Sequence, residues 1–187
     1  MAVVRDLIRD FRPTIVFLAK FFGIYFVGSL LYGLYVTDWH PRPDMMTTWV
    51  THQSSDILNL FGWETEAFEH PSRPTTYIST KEKAIVSVYE GCNGLNVVIV
   101  FLAFLLAFGP YTKKLIWFIP LGLLVIHLSN LARIVLLAMV SVHMPDFLYF
   151  THKYLFTAFI YLFVFLLWIW WVMKLAKPKS KPNAESA

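Results

Sequence analysis

The only cysteine of the chain, Cys92, stands in the stretch VYEGCNGLNVVIV, between glycines and directly before an apolar run. An arginine, Arg133, lies inside another apolar run, HLSNLARIVLLAMV, and a histidine, His152, opens a third in FTHKYLF. These types can do covalent chemistry together. A thiolate is a strong nucleophile, favoured by a histidine partner or a helix N-terminus. A guanidinium keeps its proton and offers fixed donors to a developing oxyanion. An imidazole can take up and return a proton near neutral pH. Each residue also has an ordinary reading. A lone free cysteine packs as a small hydrophobe, an arginine in an apolar helix can hold a contact between helices, and an interfacial histidine needs no role. His143 is a rival for the base, and His127 reads as a buried hydrogen-bonding histidine.

The three residues must be brought together by apolar segments. Of the 187 residues, 57% are hydrophobic, against about 45–50% for soluble domains. The excess falls in four runs, Thr14 to Val36, Leu95 to Gly109, Leu115 to Val142 and Tyr154 to Ala176. A bilayer core of about 30 Å needs roughly 17–25 helical residues. The second run is short unless its helix begins at Cys92-Asn93-Gly94 and ends at Tyr111. The first is longer than the apolar core of a signal peptide and is followed by no A-x-A site, so it reads as an uncleaved signal anchor.

Basic residues set the expected orientation. Arg5, Arg9 and Arg12 precede the first run, Lys113 and Lys114 join the second and third, and Lys174, Lys177, Lys179 and Lys181 follow the fourth. The positive-inside rule then puts both termini and the YTKK turn in the cytoplasm. The 37–91 segment and HMPDFLYFTHK fall outside. Cys92, His152 and the outward part of Arg133's helix thereby meet at one membrane face. Arg133 lies nine residues before Val142, roughly 13 Å below the outer end at 1.5 Å per residue. Asn130 and Ser129 share its flank. Asn130 is expected to orient Arg133 or a nearby backbone, and Gly91, Asn93 and Gly94 to shape the tight turn at the thiol.

The 37–91 segment is too long for a plain loop. MMTTWVTHQSSDILNLFGW reads as a helix on the membrane surface, and TTYISTKEKAIVSVYE as a β-hairpin whose second strand runs into Cys92. Trp168, Trp170 and Trp171 read as an interfacial aromatic belt. The expected fold is an all-α integral membrane protein of about four transmembrane helices. Between spans one and two it carries an extracytoplasmic insertion, a surface helix plus a β-hairpin. Its parts are a cytoplasmic N-terminus and signal anchor (1–36), the insertion (37–91), a three-span core (92–176) and a disordered tail (177–187).

Several classes are excluded or disfavoured. One cysteine makes no intramolecular disulfide and no dithiol relay. The net charge of +4 comes mostly from the two ends, which leaves little support for nucleic-acid binding. His127, His143 and His152 lack a paired arrangement across two spans, so no metal or cofactor is expected. A non-catalytic assembly or scaffold subunit is the alternative to an enzyme.

GCNGL before one span, NLARI within the next and HKYLF opening the last resemble the exosortase/archaeosortase superfamily. That family has an A-C-x-G-[IL]-like motif, an N-x-x-R motif and a later histidine. The resemblance covers roughly Val88 to Met173, and the short chain is similar to the compact bacterial, exosortase F-like type. Gly91 stands where alanine is usual. The resemblance implies a cysteine transpeptidase of the bacterial inner membrane, its active site on the extracytoplasmic side. Cys92 would be nucleophile, Arg133 oxyanion or carboxylate partner, and His152 general base and acid. The implied partners are exported proteins ending in a short motif, an apolar helix and a basic tail, together with membrane lipid and a lipid or glycan acceptor.

Overall fold

The structure is a computed structural model. It describes the backbone of residues 2–81, 83–109 and 112–175, and the side chains of these apart from 2–10 and 175. The side chains of Arg5 and Arg9, Glu82, Tyr111 and the 177–187 tail lie outside the described residues. The chain is mostly helical, with one small sheet inserted between helical segments. Its helices are α1 (Ala2–Trp39), α2 (Met45–Leu60), α3 (Leu95–Phe108), α4 (Lys113–His143), α5 (Leu148–Phe150) and α6 (Phe156–Trp170). The strands β1 (Glu66–Glu69), β2 (Thr75–Ser79) and β3 (Ala84–Tyr89) lie between α2 and α3.

Three helical stretches are long and apolar enough to cross a membrane, Phe11–Trp39, Lys113–His143 and Pro145–Lys174. The fourth apolar helix, α3, has 14 residues, about 21 Å at 1.5 Å per residue. It does not extend back to Cys92, because Gly94 sits at its N-cap with φ of 86°. The side chain of Asn93 takes the N–H of Leu95 at 2.9 Å. Gly109 ends the helix with φ of 64°. The helices pack closely where residues are small: a Cβ at Gly122 of α4 would collide with the Phe101 ring of α3. Along α1, Phe17 meets Phe104 edge-on at 5.7 Å.

The inserted region departs from expectation in two ways. The expected hairpin is present as β2 and β3, but a third antiparallel strand joins it in the order β1-β2-β3. The extra strand, EAFE, is short and carries a glutamate at each end, so its sequence has almost no strand signature. The second departure is that α2 also has a core-facing side, made mostly of threonine and serine. It buries Thr47, Val50, Thr51, Ser54, Ser55 and Leu58, the i, i+3, i+4 stripe of a core-facing helix. Trp49 and Leu60 are left exposed. The buried hydroxyls are satisfied locally: Thr51 donates to the Thr47 carbonyl and Ser54 to that of Val50, each at 2.7 Å.

Two apolar cores result. One joins Val50 and Leu58 of α2, Ile78, Val86 and Val88 of the sheet, and Ile134 and Leu137 of α4, and Cys92 belongs to it. The other joins Phe101 and Leu105 of α3, Phe118 of α4 and Ile160, Val164 and Trp171 of the last helix. Trp171 is fully buried and its indole N–H donates to the Gly109 carbonyl at 3.2 Å. It is therefore a core residue, not part of an aromatic belt. Trp168 stacks on Phe104 at 4.3 Å.

Candidate active site

Strand β3 delivers the chain into a single 3₁₀ turn, Glu90–Cys92, and two residues later α3 begins. Cys92 ends that turn, and its side chain is 6% exposed. The loop is tied at successive positions. The phenol of Tyr32, on α1, donates to the Glu90 carbonyl at 2.6 Å. Asn130, on α4 and fully buried, donates its Nδ2 to the Cys92 carbonyl at 2.9 Å. Asn93 donates to the Tyr32 hydroxyl at 3.1 Å and reaches Asp44 and Thr47 at 3.3 Å. Three elements remote in sequence thus hold Glu90, Cys92 and Asn93.

Asp44 makes this arrangement possible. It is 2% exposed and is the N-cap of α2, accepting the Thr47 N–H at 3.0 Å. Its second oxygen accepts the Thr47 hydroxyl. A buried carboxylate is tolerable only when hydrogen bonds satisfy it. Asn93 is one of those donors, so the α2 cap and the thiol loop share one network.

At the thiol, Arg133 Nη2 donates to Cys92 Sγ at 3.8 Å. Among the described residues no carboxylate forms an ion pair with Arg133, so its remaining donors are open to another anion. Tyr89 is the second neighbour. Its phenol pKa is raised above the ordinary value, first by the charge of Cys92 and then by burial and its hydrogen bond to the thiol. Gly91 is explained by the same ring. A Cβ there would lie 2.5 Å from Tyr89 Cε2, so glycine is needed for the phenol to lie over the loop, not for turn conformation. Gly94 is needed on both counts, since its φ is positive and a Cβ would stand 3.3 Å from Asn130 Cγ.

The sequence-predicted residues therefore divide. Cys92, Arg133 and Asn130 are in direct contact, with Asn93, Gly91 and Gly94 shaping the loop around them. His152 is half-buried in a π-helical turn, Thr151–Leu155. It lies within the electrostatic reach of Arg133, and among the described residues its ring makes no hydrogen bond. His143 donates Nδ1–H to the Met139 carbonyl at 2.9 Å and packs on Trp63 at 5.6 Å. His127 donates to Gln53 at 2.9 Å and stacks on Trp49 at 4.8 Å, the structural role expected of it. Ser129 turns to the Val125 carbonyl at 2.7 Å and away from the thiol.

The transmembrane exosortase family model (Exosortase_EpsH) matches residues 14–171. The chain belongs to this family. No curated protein and no solved structure matches it. The exosortase match begins within α1 and so includes Tyr32 and Asp44, which sequence reasoning passed over along with Tyr89. Tyr32 hides in an aromatic-rich helix. Asp44 carried one usable signal, an aspartate three residues before a threonine at a helix start. Tyr89 reads as an ordinary strand residue until the turn after it folds the thiol back beside its ring.

Proposed function

We propose that this exosortase is a membrane cysteine transpeptidase that cleaves the C-terminal sorting signals of exported proteins. Cys92 attacks the scissile carbonyl as its thiolate. Arg133 receives the charge that develops on the carbonyl oxygen. His152 takes the thiol proton and gives it to the leaving amine, so that a thioester remains on Cys92. A second nucleophile, water or an amine of a lipid or glycan acceptor, then releases the new C-terminus and restores the thiol. The observation that carries this reading is the Arg133 guanidinium on Cys92 Sγ at 3.8 Å, with no ion-pair partner among the described residues. An arginine beside a thiol and unpaired in an apolar helix is costly as architecture and useful as an oxyanion site.

Four helices cross the membrane in this reading, α3 included, with residues 1–36, 37–91, 92–176 and 177–187 as anchor, insertion, core and tail. Both termini lie in the cytoplasm, and the sheet and Cys92 lie on the extracytoplasmic side of a bacterial inner membrane. The motivation is the distribution of lysine and arginine. The substrate's short motif would meet the enzyme outside while its apolar helix stays in the bilayer.

The test co-produces the enzyme with an exported protein ending in a motif, an apolar helix and a basic tail. Cys92→Ala should leave that protein at full length, and Cys92→Ser should nearly do so, because an unactivated hydroxyl is a poor nucleophile. Normal processing by the alanine variant would end the enzyme reading and favour a scaffold. Orientation is checked in Cys92→Ala with a cysteine at Leu60, which is 85% exposed. Labelling by an impermeant maleimide only after membrane rupture would reverse the topology.

A further inference from the structure

The sheet leaves β3 with one long edge unpaired, and the register tells which backbone groups face it. The His70 N–H donates to the Thr75 carbonyl, so Thr75 is turned toward β1. Alternation then turns Thr76 and Ile78 toward β3, where their partners are Val88 and Val86. Ser87 and Tyr89 must therefore point their backbone groups away from the sheet. Tyr89 is the N-cap of the 3₁₀ turn, and a cap carbonyl accepts the first bond of its helix. This leaves the N–H and C=O of Ser87 and the N–H of Tyr89, none of which has a partner among the described residues.

Ser87 lines a cavity of about 360 Å³, within the size range of ligand sites. Residues 85–87 form its strand side, and Leu137, Leu148, Tyr149 and His152 form the opposite wall. The other edge of the sheet differs. There β1 carries Glu66 and Glu69 among its four residues, the charged edge by which proteins avoid unwanted pairing. No charged residue occurs in β3. The unguarded edge is the one that leads to Cys92.

We propose that the substrate docks here as an extended peptide, adding a fourth strand to β3 through the backbone of Ser87 and Tyr89. The occupant's identity rests on the transpeptidase reading. Its conformation rests on the edge. A lipid tail has no groups to pair with a row of backbone donors and acceptors, and a helix has already used its own, whereas an extended chain matches them. The apolar wall at Leu137 and Leu148 then takes every second side chain. Cys92 follows Tyr89 through a 3₁₀ turn, about 6 Å at roughly 2 Å per residue, so the paired segment lies about two residues of extended chain from the scissile bond. His152 lines the groove across from the strand.

The experiment has two arms, both on the full chain in membranes. In the Cys92→Ala variant, a benzophenone amino acid replaces Ser87 or, on the opposite edge, Phe68, with the signal-bearing exported protein co-produced. Adducts with that protein from position 87 and not from 68 are expected. No adduct at 87, adducts with lipid alone, or equal yields at both edges would overturn the proposal. In the second arm, Ser87→Pro removes an edge-facing N–H without breaking a bond to β2, a place where proline is tolerated. Membrane abundance should hold while KM rises about 10-fold, the value of one to two backbone hydrogen bonds, and kcat changes less than threefold. An unchanged KM would overturn the proposal. Val86→Pro, which breaks the ladder, marks what loss of the fold looks like. If the unmodified enzyme fails to cleave, the peptidase reading falls, and the crosslinking arm still decides the docking.

Discussion

The loop that carries Cys92 and the turn that carries His152 are built in opposite ways. In the loop, Glu90, Cys92 and Asn93 are each held by a hydrogen bond from a different part of the chain. In the turn, the imidazole has no hydrogen bond among the described residues, and Tyr149, Phe150, Tyr154 and Leu155 around it are exposed. The backbone there is π-helical, an irregularity that recurs at functional sites. The contrast separates two ways of preparing a reaction. Thiol and guanidinium are preorganised by the fold, whereas the proposed base awaits a substrate to fill the groove beside it. Apo geometry at a base often tightens only when substrate binds.

Breaking the rigid side should have the largest effect. Asn93→Asp sets a second carboxylate against buried Asp44, and an uncompensated buried charge costs about 3–5 kcal/mol. Membrane abundance and turnover should both collapse. The double variant Asp44→Asn with Asn93→Asp restores one donor facing one acceptor, and both Asn and Asp cap helices well. Recovery of abundance in the double variant, read by immunoblot and thermal melting, would show that the network acts as a unit. No recovery would sink it.

The side with fewer ties comes next. His152→Ala should leave the protein abundant and lower the cleavage rate by roughly 10²–10⁴-fold, the usual worth of a general acid–base group. His143→Ala should stay within about twofold, because that ring is committed to Met139 and Trp63. The reverse ranking would move the base to His143. For the rigid partner of the thiol, Arg133→Lys should cut turnover about 10²-fold, as loss of one oxyanion donor does, with folded protein retained. Lysine keeps the charge but lacks the planar fork, so near-normal cleavage would rule out guanidinium geometry. Among the residues given a role at the site, the smallest effect expected is that of Tyr32→Phe. It removes the hydrogen bond to the Glu90 carbonyl, worth about 1 kcal/mol, and the one from Asn93, which keeps Asp44 and Thr47 as acceptors, and should lower turnover roughly fivefold. The rate at which iodoacetamide alkylates Cys92, the only thiol in the chain, should change in parallel, since it reports the loop and not the substrate.

The same contrast explains what could be read from the sequence. Cys92, Arg133 and Asn130 were legible because a polar residue in an apolar run is costly and so stands out. The i, i+3 spacing of Asn130 and Arg133 also places them on one flank. Tyr32 and Asp44 were not, because their roles depend on contacts 58 and 49 residues away in the chain, and no local pattern encodes those. The core-facing side of α2 was not legible for a related reason. Its core side is made of threonine and serine, whose hydroxyls are satisfied by the carbonyl four residues back, so burial left no hydrophobic signature. The third strand was missed because an edge strand protected by glutamates resembles a loop.

The bond from Trp171 to the Gly109 carbonyl has a consequence for how the chain is made. In the proposed four-span reading a helix of α3's length is a weak passenger in a bilayer, and that indole completes its far end. The indole lies 62 residues further along the chain. At roughly 5–20 residues per second it is synthesised some 3–12 s after Gly109. Through that interval α3 must be sheltered by α1, already made, or by the insertion machinery. The last helix therefore acts as a latch in biogenesis, and a truncation before Trp171 should expose α3 to quality-control proteolysis although every residue around Cys92 is present.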